Sequence, residues 1–263
     1  MDARPMVRVS ALLEWQRCHR RYHLRQGTGV EGGSDATSKG QSFHNFVQQA
    51  IHEPQEKAAA IGECVGGEKW GTEWRRAAKH LPAILWEGHW VAEAPVHLAI
   101  EGVHVEGHVD LWRKTVEGIL IIEFKTGNQT PGQYVSWNLQ HRAYALAASE
   151  MWPGVPVFYA YIMPGKEMAT LILFTPAQLR QTRLELEALV REWKADQETA
   201  PGLWTPTYSV LCGYCPLEEL CRQVVQGAWQ VGDGMLQLEE LARQLPSPGL
   251  SQSAPEGDRH VSG

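Results

Sequence analysis

The chain has 263 residues, is 43% hydrophobic and carries a formal net charge of −6. That balance excludes a disordered protein and a wholly basic nucleic-acid coat, and leaves room for a local cationic patch or a metal-bridged phosphate. No run of about 18 apolar residues occurs and the opening MDARPMVRVS has no hydrophobic signal region, so neither membrane insertion nor secretion is expected and the cytoplasm is the default location.

In chain order, SALLEWQRCHRRYHLRQ over 10–26 reads as one helix capped by Ser10, with Leu12, Leu13, Trp15 and Tyr22 apolar and Arg17, Arg20, Arg21 and Arg25 on a cationic side. A glycine-rich loop, GTGVEGGSDATSKG, separates it from a short helix in QSFHNFVQQAIHE with Phe43, Val47 and Ala50 on one face. Residues 54–91 read as irregular helix. Strand signals follow: PVHLAI, a Glu101-Gly102 turn, VHVEGHVDLW, a Glu117-Gly118 turn and ILIIEFKTG, together an antiparallel meander. SWNLQHRAYALAASEMW reads as a helix with Ser136 as N-cap, and VPVFYAYIM and MATLILF as two strands around a Pro164-Gly165 turn. Thr175-Pro176 opens a long amphipathic helix reaching about Thr199, and from Pro246 the composition is that of a low-complexity tail. One domain over 1–245 and a flexible tail over 246–263 is the expected organisation.

The strand ILIIEFKTG places Glu123 and Lys125 on one face and Ile122 and Phe124 on the other. If Glu117-Gly118 is a two-residue turn, Val116 pairs with Ile119, and counting outward sets Asp110 opposite Lys125 with Glu123 diagonal on the same face. Two carboxylates so placed can share a divalent cation, and the cation offsets the cost of burying them. Mg²⁺ or Mn²⁺ on Asp110 and Glu123 would polarise a scissile phosphate, with Lys125 positioning water or stabilising transition-state charge.

GHVDLW followed after a short hairpin by LIIEFKTG resembles the core of the PD-(D/E)XK nuclease superfamily, with Val109 where the motif name has Pro. QHRAY, with Gln140 and Tyr144 one turn apart, resembles the Q-x-x-x-Y motif of its RecB-like branch, and KGQSFHNFV resembles the helix that brings a histidine ligand, here His44, to the same metal. The resemblance implies a restriction-endonuclease-like α/β core, a mixed sheet flanked by helices. It also implies catalysis by Asp110, Glu123 and Lys125, a metal on His44, Asp110 and Glu123, and Gln140 and Tyr144 beside the site, on the DNA backbone or the catalytic lysine. Glu93, ahead of the first strand of the meander, is similar in place to a further acidic position of the branch.

Of five cysteines, Cys212, Cys215 and Cys221 form C-x2-C-x5-C, Cys18 lies in the first helix, and Cys64 is left over. Four thiolates in a chain expected to be cytoplasmic suit a metal better than disulfides, and either zinc or a [4Fe–4S] cluster accepts them. The arrangement resembles the iron-staple nucleases, AddB-type subunits and CRISPR-associated adaptation exonucleases, which implies a [4Fe–4S] staple joining the two ends of the core. Arg17, Arg20 and Arg21, beside Cys18, are candidates for phosphate contacts on a single strand.

The expected function is a metal-dependent DNA exonuclease on single-stranded or unwound ends, in CRISPR adaptation or in repair and recombination. Its partners would be DNA and either CRISPR integrase proteins or a helicase, with no membrane. The alternative is a non-catalytic DNA-binding or scaffold subunit of a helicase–nuclease or CRISPR adaptation complex.

Overall fold

The structure, a computed structural model, describes residues 5–29, 35–126, 138–199 and 204–225. Where one domain was expected, the described residues divide into two compact units, one within Met1–Arg17 and Gly33–Glu198, the other within Cys18–Gly32 and Thr199–Gly263. The expected tail lies outside the described residues.

The first unit is built on a mixed six-stranded sheet. Strands β1 (Met6–Arg8), β2 (Val91–Ile100), β3 (Val103–Lys114) and β4 (Ile119–Phe124) meet on β3: β2 runs antiparallel along one side of it, while β1 (parallel) and β4 (antiparallel) share the other. Glu101 and Gly102, at φ 50° and 77°, form the two-residue β2–β3 turn expected from the sequence, since both central positions of such a turn take positive φ. After β4 the chain crosses through α5 (Leu139–Met151) to β5 (Val157–Met163), parallel to β4, and β6 (Met168–Phe174) closes the far edge antiparallel to β5. The β5–β6 link is a short 3₁₀ turn, Pro164–Lys166.

Helices cover the sheet on both sides. Helices α3 (Asp35–Ala50) and α4 (Ala58–Ala77) bury Phe43, Phe46, Val47 and Trp74 against Leu111, Ile122, Phe124 and Ile162. On the other side lie α1 (Val9–Arg17), α5 and α6 (Pro176–Asp196). A capping box, with Thr175 and Gln178 satisfying each other's backbone donors, fixes the start of α6 at the expected Thr-Pro step. For α5 the cap is Asn138, whose side chain accepts from the Gln140 N–H at 2.9 Å; the expected cap, Ser136, lies outside the described residues.

Two helical readings change. The helix expected over 10–26 is two, α1 and α2 (His19–Thr28), separated at Cys18, whose φ −164° and ψ 104° are extended. Ser10 lies within α1, one residue past its start. The glycine-rich loop is shorter than its composition suggested, because α2 runs to Thr28 and α3 begins at Asp35.

In the second unit α2 packs with residues 204–220 and a short helix α7 (Glu218–Val225). Its core is small: Leu24, Trp204, Leu217 and Leu220, with Cys215 and Cys221 against them and His23 stacked on Trp204 at 4.5 Å.

A candidate metal centre on strands β3 and β4

The turn joining β3 to β4 is not the expected two-residue one. Lys114 pairs with Ile119, leaving Thr115–Gly118 as a four-residue turn in which the Thr115 N–H donates to the Gly118 carbonyl at 2.7 Å. The register therefore differs from the expected one by two residues, and Asp110 continues opposite Glu123 rather than Lys125. An even slip leaves every side chain on its face, so the carboxylates remain neighbours.

The ladder ends at Leu111–Ile122, and beyond it the Asp110 carboxylate replaces a backbone acceptor, taking the Phe124 N–H at 2.7 Å. The alternation of faces also breaks here. Val109 lines a cavity with Ile119, Ile121 and Ala148, whereas Leu111 joins Ile122 and Phe124 under α3 and α4. Asp110 stands at the break and is thereby open to groups from both sides of the sheet.

The break has a partner in β2. Ala92 pairs with Leu111 and Ala94 with Val109, but Glu93 between them is unpaired, with φ at 47°. A left-handed backbone on a glutamate inside a strand is strained, and such strain persists where the surrounding structure requires it. Its carboxylate lies 3.7 Å from His44 Nδ1, and the same nitrogen is 3.3 Å from Asp110 Oδ1. One ligand atom each from His44, Glu93 and Asp110 lie within 4.8 Å of one another, the one such grouping of three His, Cys, Asp or Glu found among the described residues. Of the expected ligand set, His44 and Asp110 come together directly. Glu93, which lies inside β2 rather than ahead of it, joins them in the place expected for Glu123.

Glu123 is buried, and each of its oxygens has a partner. Lys125 Nζ sits 2.6 Å from Oε1, and the buried Tyr159 hydroxyl donates to Oε2 at 3.5 Å. Burial would lower the Lys125 pKa, but the Glu123 carboxylate outweighs it and holds the ammonium charged. Burial, reinforced by the Glu123 charge, pushes Asp110 up to about 7. At His44, burial opposes protonation, yet the Glu93 bond and the Asp110 and Glu123 charges raise the imidazole above its ordinary value. Acids this close and this poorly hydrated resist ionising together, which a divalent cation reverses. An imidazole nitrogen and carboxylate oxygens suit Mn²⁺ or Mg²⁺, so the residues present fit that group.

On α5, Gln140 Nε2 donates to the Tyr144 hydroxyl at 2.9 Å, and burial, above all, raises Tyr144 to about 12. The Tyr144 ring crosses β3 at Gly107, where an added Cβ would fall 2.3 Å from Cε1. Sequence reasoning passed over this glycine, although a Gly two residues from Val109 in a strand is itself a signal of close approach.

The arginines of the expected cationic side divide between the two units. Arg17 is exposed on α1. Arg20 is buried in the second unit, donating from Nε to the Trp204 carbonyl at 3.0 Å, and is unavailable to DNA as placed; Arg21 is half-buried on α2.

All four cysteines of the expected staple fall in the second unit. The Thr207 N–H donates to Cys18 Sγ at 3.5 Å and the Ser209 N–H to Cys212 Sγ at 3.5 Å. Burial raises the Cys215 thiol, and nearby Cys18 and Cys221 add to that. Among the described residues no three cysteine sulfurs lie within 4.8 Å of one another. Cys64 is exposed on α4, in the other unit.

The sequence profile of the PD-(D/E)XK nuclease superfamily matches residues 8–222. Among solved structures, a "Putative exonuclease" from Eubacterium rectale is 13% identical, with 81% of this chain and 87% of that one covered and a TM-score of 0.50, a likeness of fold. SSO0001 is 15% identical, covering 84% of this chain and 87% of its own, with a TM-score of 0.42. No curated protein matches the sequence.

Proposed function

The chain belongs to the PD-(D/E)XK nuclease superfamily, and from that premise we propose that it is a Mg²⁺- or Mn²⁺-dependent DNA exonuclease of the RecB-like branch, acting on single-stranded or unwound ends. The observation that carries the reading is the convergence of His44, Glu93 and Asp110 within 4.8 Å, beside the Glu123–Lys125 pair. His44, Glu93 and Asp110 would hold the metal, with Glu123 as the adjacent acid. Bound there, the ion supplies Lewis-acid polarisation of the scissile phosphate. Lys125, kept protonated by Glu123, positions the attacking water or meets transition-state charge. Tyr159 fixes Glu123 from behind, and Gln140 and Tyr144 flank the site and orient the DNA backbone.

The four cysteines are assigned to a [4Fe–4S] staple between α2 and the C-terminal segment. One feature supports this: backbone amides already point at the Cys18 and Cys212 sulfurs, which favours thiolates. A cytoplasmic enzyme working with CRISPR adaptation proteins or with a helicase in repair is consistent with these features; among the described residues no helix is long and apolar enough to cross a membrane.

The test is cleavage of end-labelled single-stranded DNA in Mn²⁺ by wild type and Asp110→Ala, with each end blocked in turn. Wild-type products lost at least 10³-fold in the variant support the nuclease, and the blocked ends give its polarity. Equal products, or none from either protein, replace it with a DNA-binding or scaffold subunit.

A further inference from the structure

Helix α4 is not one rod. Gly67, at φ 55° and ψ −151°, breaks it, and the two halves fold back tightly: a Cβ on Gly66 would fall 2.5 Å from the Gly71 nitrogen, and one on Gly62 2.9 Å from the Trp74 carbonyl carbon. The tip of this hairpin, Val65–Trp70, faces α3 across an open groove.

The α3 wall of the groove is polar and uncharged, with Ser38, Gln41, Ser42 and Asn45 among its residues. The hairpin wall presents Trp70, half-buried against the core, with the Lys69 ammonium 4.9 Å from the centre of an indole ring. The charged groups lining it are few: Glu68 and Lys69, both on the tip. Gln41 and Asn45, both exposed, are bonded to each other at 3.1 Å.

The groove runs along the same helix as the metal ligand. Gln41 is one turn, about 5 Å along the axis, before His44, and Asn45 follows it directly. A Cβ added to Gly40, one position before Gln41, would stand 3.9 Å from Oγ1 of Thr126, just beyond Lys125. An indole with a cation over its ring, opposite two side-chain amides, is a donor and stacking set that receives a nucleobase: the base takes the place of the Lys69 ammonium on the Trp70 ring, the amides meet its polar edge and the displaced ammonium meets its phosphate.

We propose that the α3–hairpin groove holds the single-stranded DNA adjoining the scissile phosphate, with a base stacked on Trp70 and its edge on Gln41 and Asn45. This rests on the nuclease reading above and deepens it by naming where the strand lies. The strand stays in contact with α3 from the groove to His44, so that seating a base sets which phosphate reaches the metal.

Binding of fluorescein-labelled dT15 to the full chain, followed by anisotropy in Ca²⁺, tests it. Trp70→Ala should weaken binding about 10-fold and Trp70→Phe, which keeps a stacking face, no more than about 3-fold. Because Trp70 also packs on the core, the exposed pair Gln41→Ala/Asn45→Ala provides a second arm, expected to lose about 5-fold with an unchanged melting temperature. Trp70→Ala and the double variant both binding within 2-fold of wild type, or no binding by wild type, overturn the groove. Wild type that binds through these residues yet cleaves nothing in Mn²⁺ overturns the nuclease reading and leaves the groove standing.

Discussion

The two units carry two donor sets, and they are held in different ways. In the first, the ligand atoms are gathered by backbone before any ion arrives: a strand register sets Asp110 beside Glu123, a left-handed Glu93 turns inward from β2, and α3 delivers His44 from a core of Phe43, Phe46 and Val47. In the second, four thiols sit on a short helix and on turns, around an apolar cluster of only Leu24, Trp204, Leu217 and Leu220. The lesson is that the acidic site is preorganised and in tension, whereas the thiol site, if it holds the proposed staple, would take its order from what it binds.

The sharpest way to break that comparison is to remove a thiol. Cys215→Ser, or loss of the cluster, should unfold the second unit, since metal-linked folding energy in small metal-dependent domains is on the order of 10 kcal/mol. The expected result is loss of visible absorbance together with rapid proteolysis within residues 204–225, while the sheet of the first unit keeps its circular dichroism. Colourless wild-type protein whose 204–225 segment resists protease would mean that the small core suffices and that the contrast between units is false.

The acidic site was more legible in the sequence than the thiol site, for physical reasons. Period-two alternation in VHVEGHVDLW and ILIIEFKTG fixed the faces of Asp110 and Glu123, and an even error in register does not move a side chain off its face. The turn length was not legible, because Glu117-Gly118 fits a two-residue hairpin by composition while Thr115 closes a four-residue one through its side chain and backbone. Glu93 was read as an acid ahead of the first strand; its approach to His44 from inside β2 goes with a positive φ, which a non-glycine residue does not announce. Helical spacing could not show that the chain breaks at Cys18, nor that Arg20 turns in to the Trp204 carbonyl.

Gly107→Ala strikes the preorganised side. The new Cβ would meet a ring that is itself buried, so Tyr144 or β3 must shift, at a cost of about 3 kcal/mol from overpacking. Denaturant unfolding should show the loss, and cleavage should fall more than binding because Tyr144 and Gln140 leave their places. Full stability in this variant would show that the α5 face is loosely packed and the site less rigid than the comparison holds.

The smallest effect tests the tension itself. An unfolded aspartate releases its proton near pH 4, whereas folded Asp110 holds it to about 7. Between those values the native state binds a proton the unfolded chain has lost, so metal-free stability falls as pH rises across the window. His44, also raised, loses its contribution in the same direction as pH passes its folded value. Asp110→Asn cannot ionise, so it should abolish cleavage yet stabilise the metal-free protein at pH 8 by on the order of 2 kcal/mol, with a flatter pH profile. Mn²⁺ should stabilise wild type increasingly above pH 7, where the carboxylate is free to ionise, and leave the variant nearly unchanged. Metal-free wild type as stable at pH 8 as at pH 5, matched by the variant, would show that these acids are hydrated and relaxed, and that the site is no more preorganised than the thiols.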